Sequence, residues 1–256
     1  MNKIENFLKS KYYIFIVYLF TLIIWTIKDT EASATSFGLI NMMGIFIIVL
    51  LLTLTFSLFK NTLYAIPLLT SLLFMINNSQ ISFETLNQLG FPFVIIFLAI
   101  LGPIIYMIRF KPKFRFKGLT VGLILIMLAY IISYFNGPLN LKGLTISSAA
   151  ILYLMFYVFF SNTTKGNMDY LFKMLISINL LISFQLGFKI LDGLLAHSEL
   201  SLIDNFTQGF KQGWYSNFGW ANINDINFYI ALTLPSYAYF IFKHPKNIMY
   251  WFLIFI

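Results

Sequence analysis

An all-α fold is predicted for this chain: a polytopic transmembrane helix bundle of about eight full spans plus an incomplete ninth, with its N-terminus cytoplasmic. Three observations predict it. Of the 256 residues 59% are hydrophobic and only 10% charged, with a mean hydropathy of +0.83, whereas soluble domains carry about a quarter charged residues. Charge this sparse cannot supply a polar shell, so the bilayer is the solvent. Apolar runs follow one another along the whole length, and the cations are divided unevenly among the connections between them.

The basic start (Lys3, Lys9, Lys11) leads into the first apolar run, 12–27. Ala32-Ser33-Ala34 has the small-residue pattern of a signal-peptide cleavage site, but Lys28, Asp29 and Glu31 crowd it, which favours an uncleaved first helix. The second run, 35–59, holds no charged residue, and at about 1.5 Å per residue it is long enough for about 30 Å of hydrocarbon. The third, 61–76, is short and is followed by a polar connection rich in Asn, Ser and Gln. In the fourth, 91–108, Gly102-Pro103 predicts a bend. Runs five and six, 119–135 and 144–160, flank a turn at Gly137-Pro138. The seventh, 170–191, puts Asn179 and Ser183 on one face at i, i+4, where the usual use is hydrogen bonding between helices. The eighth, 226–242, contains Pro235, and a ninth occupies 248–256. As helix, that last run rises only about 14 Å, so the chain is expected to be the amino-terminal portion of something longer. The whole is read as one transmembrane domain, 1–256, carrying a long extracytoplasmic loop at 192–225.

Seventeen Lys and Arg stand against nine Asp and Glu. Assigning successive connections to alternate sides places Lys3, Lys9, Lys11, Lys60, Arg109, Lys111, Lys113, Arg115, Lys117, Lys165, Lys173, Lys243 and Lys246 on one side. Only Lys28, Lys142, Lys189 and Lys211 fall on the other. The rich side is therefore read as cytoplasmic. Between 109 and 117 the cations alternate with Phe110, Phe114 and Phe116. Between two spans, five cations in nine residues are a topology anchor in contact with membrane lipids rather than a nucleic-acid site. The chain has no cysteine, which excludes disulfides and thiolate chemistry. No spacing of His, Asp and Glu suggests a metal, and nothing calls for a cofactor.

Specific chemistry concentrates in one polar stretch, Asn205-Phe206-Thr207-Gln208-Gly209-Phe210-Lys211-Gln212-Gly213-Trp214-Tyr215-Ser216-Asn217-Phe218-Gly219-Trp220-Ala221-Asn222-Ile223-Asn224-Asp225. Trp214, Tyr215 and Trp220 offer flat apolar faces on which a sugar can stack, and Asn222, Asn224 and Asp225 offer partners for its hydroxyls. Lys211 offers a charge for a diphosphate. A plain interfacial belt of Trp and Tyr accounts for the same aromatics. His197, in the same connection, has no carboxylate at a spacing that orients it as a base.

From Gly219-Trp220-Ala221-Asn222-Ile223-Asn224-Asp225 through Ala231-Leu232-Thr233-Leu234-Pro235 the sequence resembles the opening of the characteristic region of O-antigen ligase and O-antigen polymerase-like membrane proteins. The resemblance implies a multi-pass glycosyltransferase of the bacterial cell membrane. Such an enzyme moves saccharide from an undecaprenyl diphosphate carrier to a glycan acceptor outside the cytoplasmic membrane. That family places functional Arg and His in a later external loop, while Arg109, Arg115 and His244 fall on the cytoplasmic side here. No catalytic residue is therefore carried over, and the catalytic C-terminal part is expected to be missing. Two other readings compete: a polytopic transporter or lipid-linked glycan flippase, and a truncated inactive remnant. Runs two, four, five, six and eight lack interior charges, which counts against charged cargo.

Overall fold

The structure, a computed structural model, describes residues 2–27, 39–77, 90–137, 141–196, 201, 203–204, 207 and 223–253. Most of the described residues are helical, with no strand among them. The helices are α1 (Asn2–Leu8), α2 (Lys11–Ile27), α3 (Leu39–Leu58), α4 (Ile66–Asn77), α5 (Gly90–Phe110), α6 (Thr120–Asn136), α7 (Leu141–Thr163), α8 (Met168–Ala196), α9 (Ile223–Lys243) and α10 (Ile248–Leu253). A 3₁₀ turn, Thr62–Ala65, precedes α4, and the Asn61 side chain caps it by accepting from the Leu63 N–H at 3.1 Å.

The all-helical expectation agrees with these elements; the expectation of about eight full spans does not. Among the described residues one helix, Met168–Phe188 within α8, is long and apolar enough to cross a membrane. The other apolar stretches, 11–24, 43–58, 62–72, 97–110, 120–136 and 150–163, run for 10–17 residues. Seventeen helical residues rise only about 25 Å, short of the roughly 30 Å of a hydrocarbon core. The run at 61–76 shows a cause: it is a 3₁₀ turn followed by a helix of 12 residues, so an unbroken apolar sequence is not an unbroken helix. The run at 248–256 is helical only over Ile248–Leu253 among the described residues.

The core gathers buried side chains of α2, α3, α4 and α8, including Ile14, Val17, Ile48, Val49, Leu68, Met75 and Ile182. Helices α3 and α5 run side by side, α6 and α7 form a hairpin, and α8 packs on both α2 and α9. Hydroxyls stitch these contacts. Tyr18 bonds Thr70 at 2.5 Å, Thr21 bonds Ser71, and Thr53 donates to the Leu98 carbonyl at 2.8 Å. The α3–α5 approach depends on Gly102, where a Cβ would stand 3.1 Å from both Thr53 Cα and Phe56 Cδ2.

Candidate functional site

Hydrogen bonds between helix termini bring one set of helix ends together. Tyr13 donates to the Tyr64 carbonyl at 2.8 Å, and Tyr64 donates to Glu5 at 3.1 Å, joining α1 and the start of α2 to the 3₁₀ turn. Tyr106 of α5 donates to the Lys60 carbonyl at 2.8 Å, and Arg109 donates to the Ser57 carbonyl at 2.7 Å. At the end of α7, Thr163 bonds Thr62 at 2.8 Å, and the Lys165 N–H donates to Asn61 at 2.9 Å. Lys243, closing α9, pairs with Asp169 at the start of α8 at 2.6 Å. The thirteen cations that alternation assigned to one side lie at or within about a turn of these ends, and all are exposed. At this end the Glu5 carboxyl is held below the usual carboxylate range, chiefly by its hydrogen bond from Lys9 and then by that from Tyr64.

Chain direction then fixes the opposite end. Helix α8 leaves the basic end at Asp169 and α9 returns to it at Lys243, so the connection between Ala196 and Ile223 joins termini at the far end. The Phe74–Tyr229 ring pair, with centroids 5.4 Å apart, sets the first turns of α9 beside the last turn of α4, also far from the basic end.

Of the residues singled out in the sequence for saccharide binding, Lys211, Trp214, Tyr215, Trp220 and Asn222 lie outside the described residues, as does His197. Asn224 and Asp225 fall in the first turn of α9, and their side chains lie outside what the structure describes. What the structure fixes is the pair of helix ends, Ala196 and Ile223, that their connection joins.

A second polar feature lies between α8 and α9. Asn179 donates from Nδ2 to the Tyr237 hydroxyl at 2.7 Å, and both side chains are buried. Thr233 and Ser236 of α9 are buried as well. Thr233 donates to the Ile230 carbonyl at 2.7 Å, while Asn179 Oδ1 and Ser236 Oγ have no hydrogen-bond partner among the described residues. Ile176, Tyr237 and Phe240 make the seam's apolar wall. The Asp169–Lys243 pair closes it at the basic end, where Tyr239 also donates to Asp169 at 2.6 Å. Among the described residues the seam's interior offers amide and hydroxyl dipoles and no charge, a composition suited to holding two helices together or to a neutral polar group.

The i, i+4 face of Asn179 pointed to this seam, as interhelical hydrogen bonding. Its partner face on α9 was missed, although residues 233, 236, 237 and 240 recur at helical spacing around Pro235. Comparison of the chain with family models, curated proteins and solved structures finds no match.

Proposed function

We propose that the chain works in the cell membrane as a glycan ligase- or polymerase-like protein acting on undecaprenyl-diphosphate-linked saccharide. Membrane association itself has coarse support: the helix Met168–Phe188 has the length and composition to cross. The exposed faces of α2, α3, α6 and α7 are dense with large apolar side chains, and lipid is the cover that such faces accept. For the saccharide reading, the carrying observation is sidedness. The connection bearing Trp214, Trp220 and Asn222 joins helix ends remote from the cationic end, on the side where a lipid-borne glycan would meet stacking aromatics rather than a field of lysines. Lys211, Tyr215, Asn224 and Asp225 complete that substrate-binding set.

The test is binding of undecaprenyl-diphosphate-linked saccharide by the chain reconstituted in vesicles. Trp220→Ala should weaken binding at least about tenfold, the worth of one or two good stacking contacts. Undiminished binding in a Trp214→Ala/Trp220→Ala double variant would remove the assignment.

A second reading, a flippase or transporter of neutral polar cargo, is favoured by the uncharged buried seam of Asn179, Thr233, Ser236 and Tyr237. It expects Asn179→Leu to abolish movement of lipid-linked saccharide between leaflets; unchanged movement in that variant would leave the seam a packing device.

A further inference from the structure

The connection from α5 to α6 is short of regular structure but not of fixed partners. Asn162 of α7 clasps Arg115 by both backbone groups, accepting from its N–H at 3.0 Å and donating to its carbonyl at 2.9 Å. Tyr157, also of α7, bridges the exit of the connection. Its hydroxyl donates to the Lys117 carbonyl at 2.9 Å and accepts from the Leu119 N–H at 3.0 Å. Thr120 accepts from the Lys117 N–H at 3.0 Å, and the Lys117 ammonium reaches the Ser161 carbonyl at 3.3 Å. Gly118, at φ +48°, makes the turn after Lys117, and a Cβ there would stand 2.8 Å from the Tyr157 hydroxyl. Lys111 enters the strap with φ +45°.

Held this way, the strap presents Lys111, Lys113, Arg115 and Lys117 in alternation with Phe114 and Phe116, and all six are exposed. Phe116 is 78% exposed, an arrangement that water alone does not reward. No Asp or Glu occurs between Glu84 and Asp169, and among the described residues no carboxylate pairs with the four cations. Cations alternating with exposed aromatics match a layer of phosphate lying over hydrocarbon, the cations at headgroup depth and the rings at the acyl boundary.

We propose that residues 111–117 form a pre-organised binding strap for anionic phospholipid headgroups. The proposal rests on membrane association and not on the saccharide reading. It is tested with the full chain purified in neutral detergent carrying equal phosphatidylglycerol and phosphatidylcholine, retained lipid being counted by native mass spectrometry. The parent should retain phosphatidylglycerol preferentially. The K111Q/K113Q/R115Q/K117Q variant should retain about tenfold less, while K3Q/K9Q/K11Q, at the same end, should change by less than about twofold.

Equal retention of the two lipids, unchanged retention in the strap variant, or tighter binding of an RNA homopolymer than of phosphatidylglycerol would each overturn the strap. If the strap variant loses its helical circular dichroism, the parent decides. Its phosphatidylglycerol retention must fall several-fold between about 50 and 500 mM salt, and F114S/F116S must weaken it; insensitivity to both refutes the proposal. A chain that remains soluble without detergent would instead sink membrane association.

Discussion

The α6–α7 hairpin and the α2–α3–α4–α8 core are made from side chains of the same apolar character and differ in what covers them. In the core, Ile14, Ile48, Val49 and Ile182 are at most 1% exposed. In the hairpin, Val121, Leu125, Ile132, Phe135 and Tyr153 are each more than half exposed, and the buried residues described there include the small or polar Thr120, Ser147, Ala150 and Thr163. Hydropathy therefore does not separate buried from exposed positions among the described residues. Placement of small and hydroxyl-bearing residues does, because these residues let helices approach closely and hydrogen-bond to one another.

The sharpest way to break the comparison is truncation on each side of it. Ile182→Ala should cost about 2–5 kcal/mol of unfolding free energy, measured by thermal or denaturant unfolding in bicelles. Leu125→Ala, which opens no cavity, should stay within about 0.5 kcal/mol. Equal losses would mean that the hairpin is as tightly enclosed as the core. Next comes overpacking. Gly102→Val must push against the α3 backbone and should cost about 1–3 kcal/mol. Gly122→Ala in α6, whose Cβ would meet nothing within 4 Å, should be neutral or stabilise by up to about 1 kcal/mol; destabilisation there would reveal an unseen neighbour.

A smaller effect is expected at the seam. Tyr237→Phe leaves the Asn179 amide without the acceptor it uses and should cost about 1 kcal/mol; Asn179→Leu/Tyr237→Phe should recover part of the loss, and strict additivity would deny the pairing. The smallest effect concerns α1. Glu5 has its carboxyl lowered from an ordinary value of 4.5 by Lys9 and Tyr64, so its contribution is present above that value and fades as pH falls through the lower folded one. Glu5→Gln should remove this acid-side decline from melting curves recorded between about pH 6 and 3, and an unchanged slope would show the contact to be energetically silent.

Much of the helical framework was legible because apolar runs in this chain are helices: α2, α6, α7, α8 and α9 begin and end within a few residues of the runs that announced them. Spanning length was not, since a run of apolar letters does not record a 3₁₀ turn such as Thr62–Ala65. Alternating the connections placed the cations correctly at one set of helix ends, a property of chain direction alone. The Asn179 face was legible from i, i+4 spacing, but Tyr237 lies 58 residues away, and no local pattern announces a partner at that separation. The seven residues named for saccharide binding belong to a stretch whose meaning rests on residue type.

Asn162 holds both peptide groups of Arg115 with one amide, and Tyr157 does the same across Lys117 and Leu119. The two helices of the hairpin are thus riveted at their base, and neither can slide along its axis unless those rivets open. Any rocking of the hairpin must swing the row of lysines with it, so that the tilt of the two helices becomes a lever on where the charges sit.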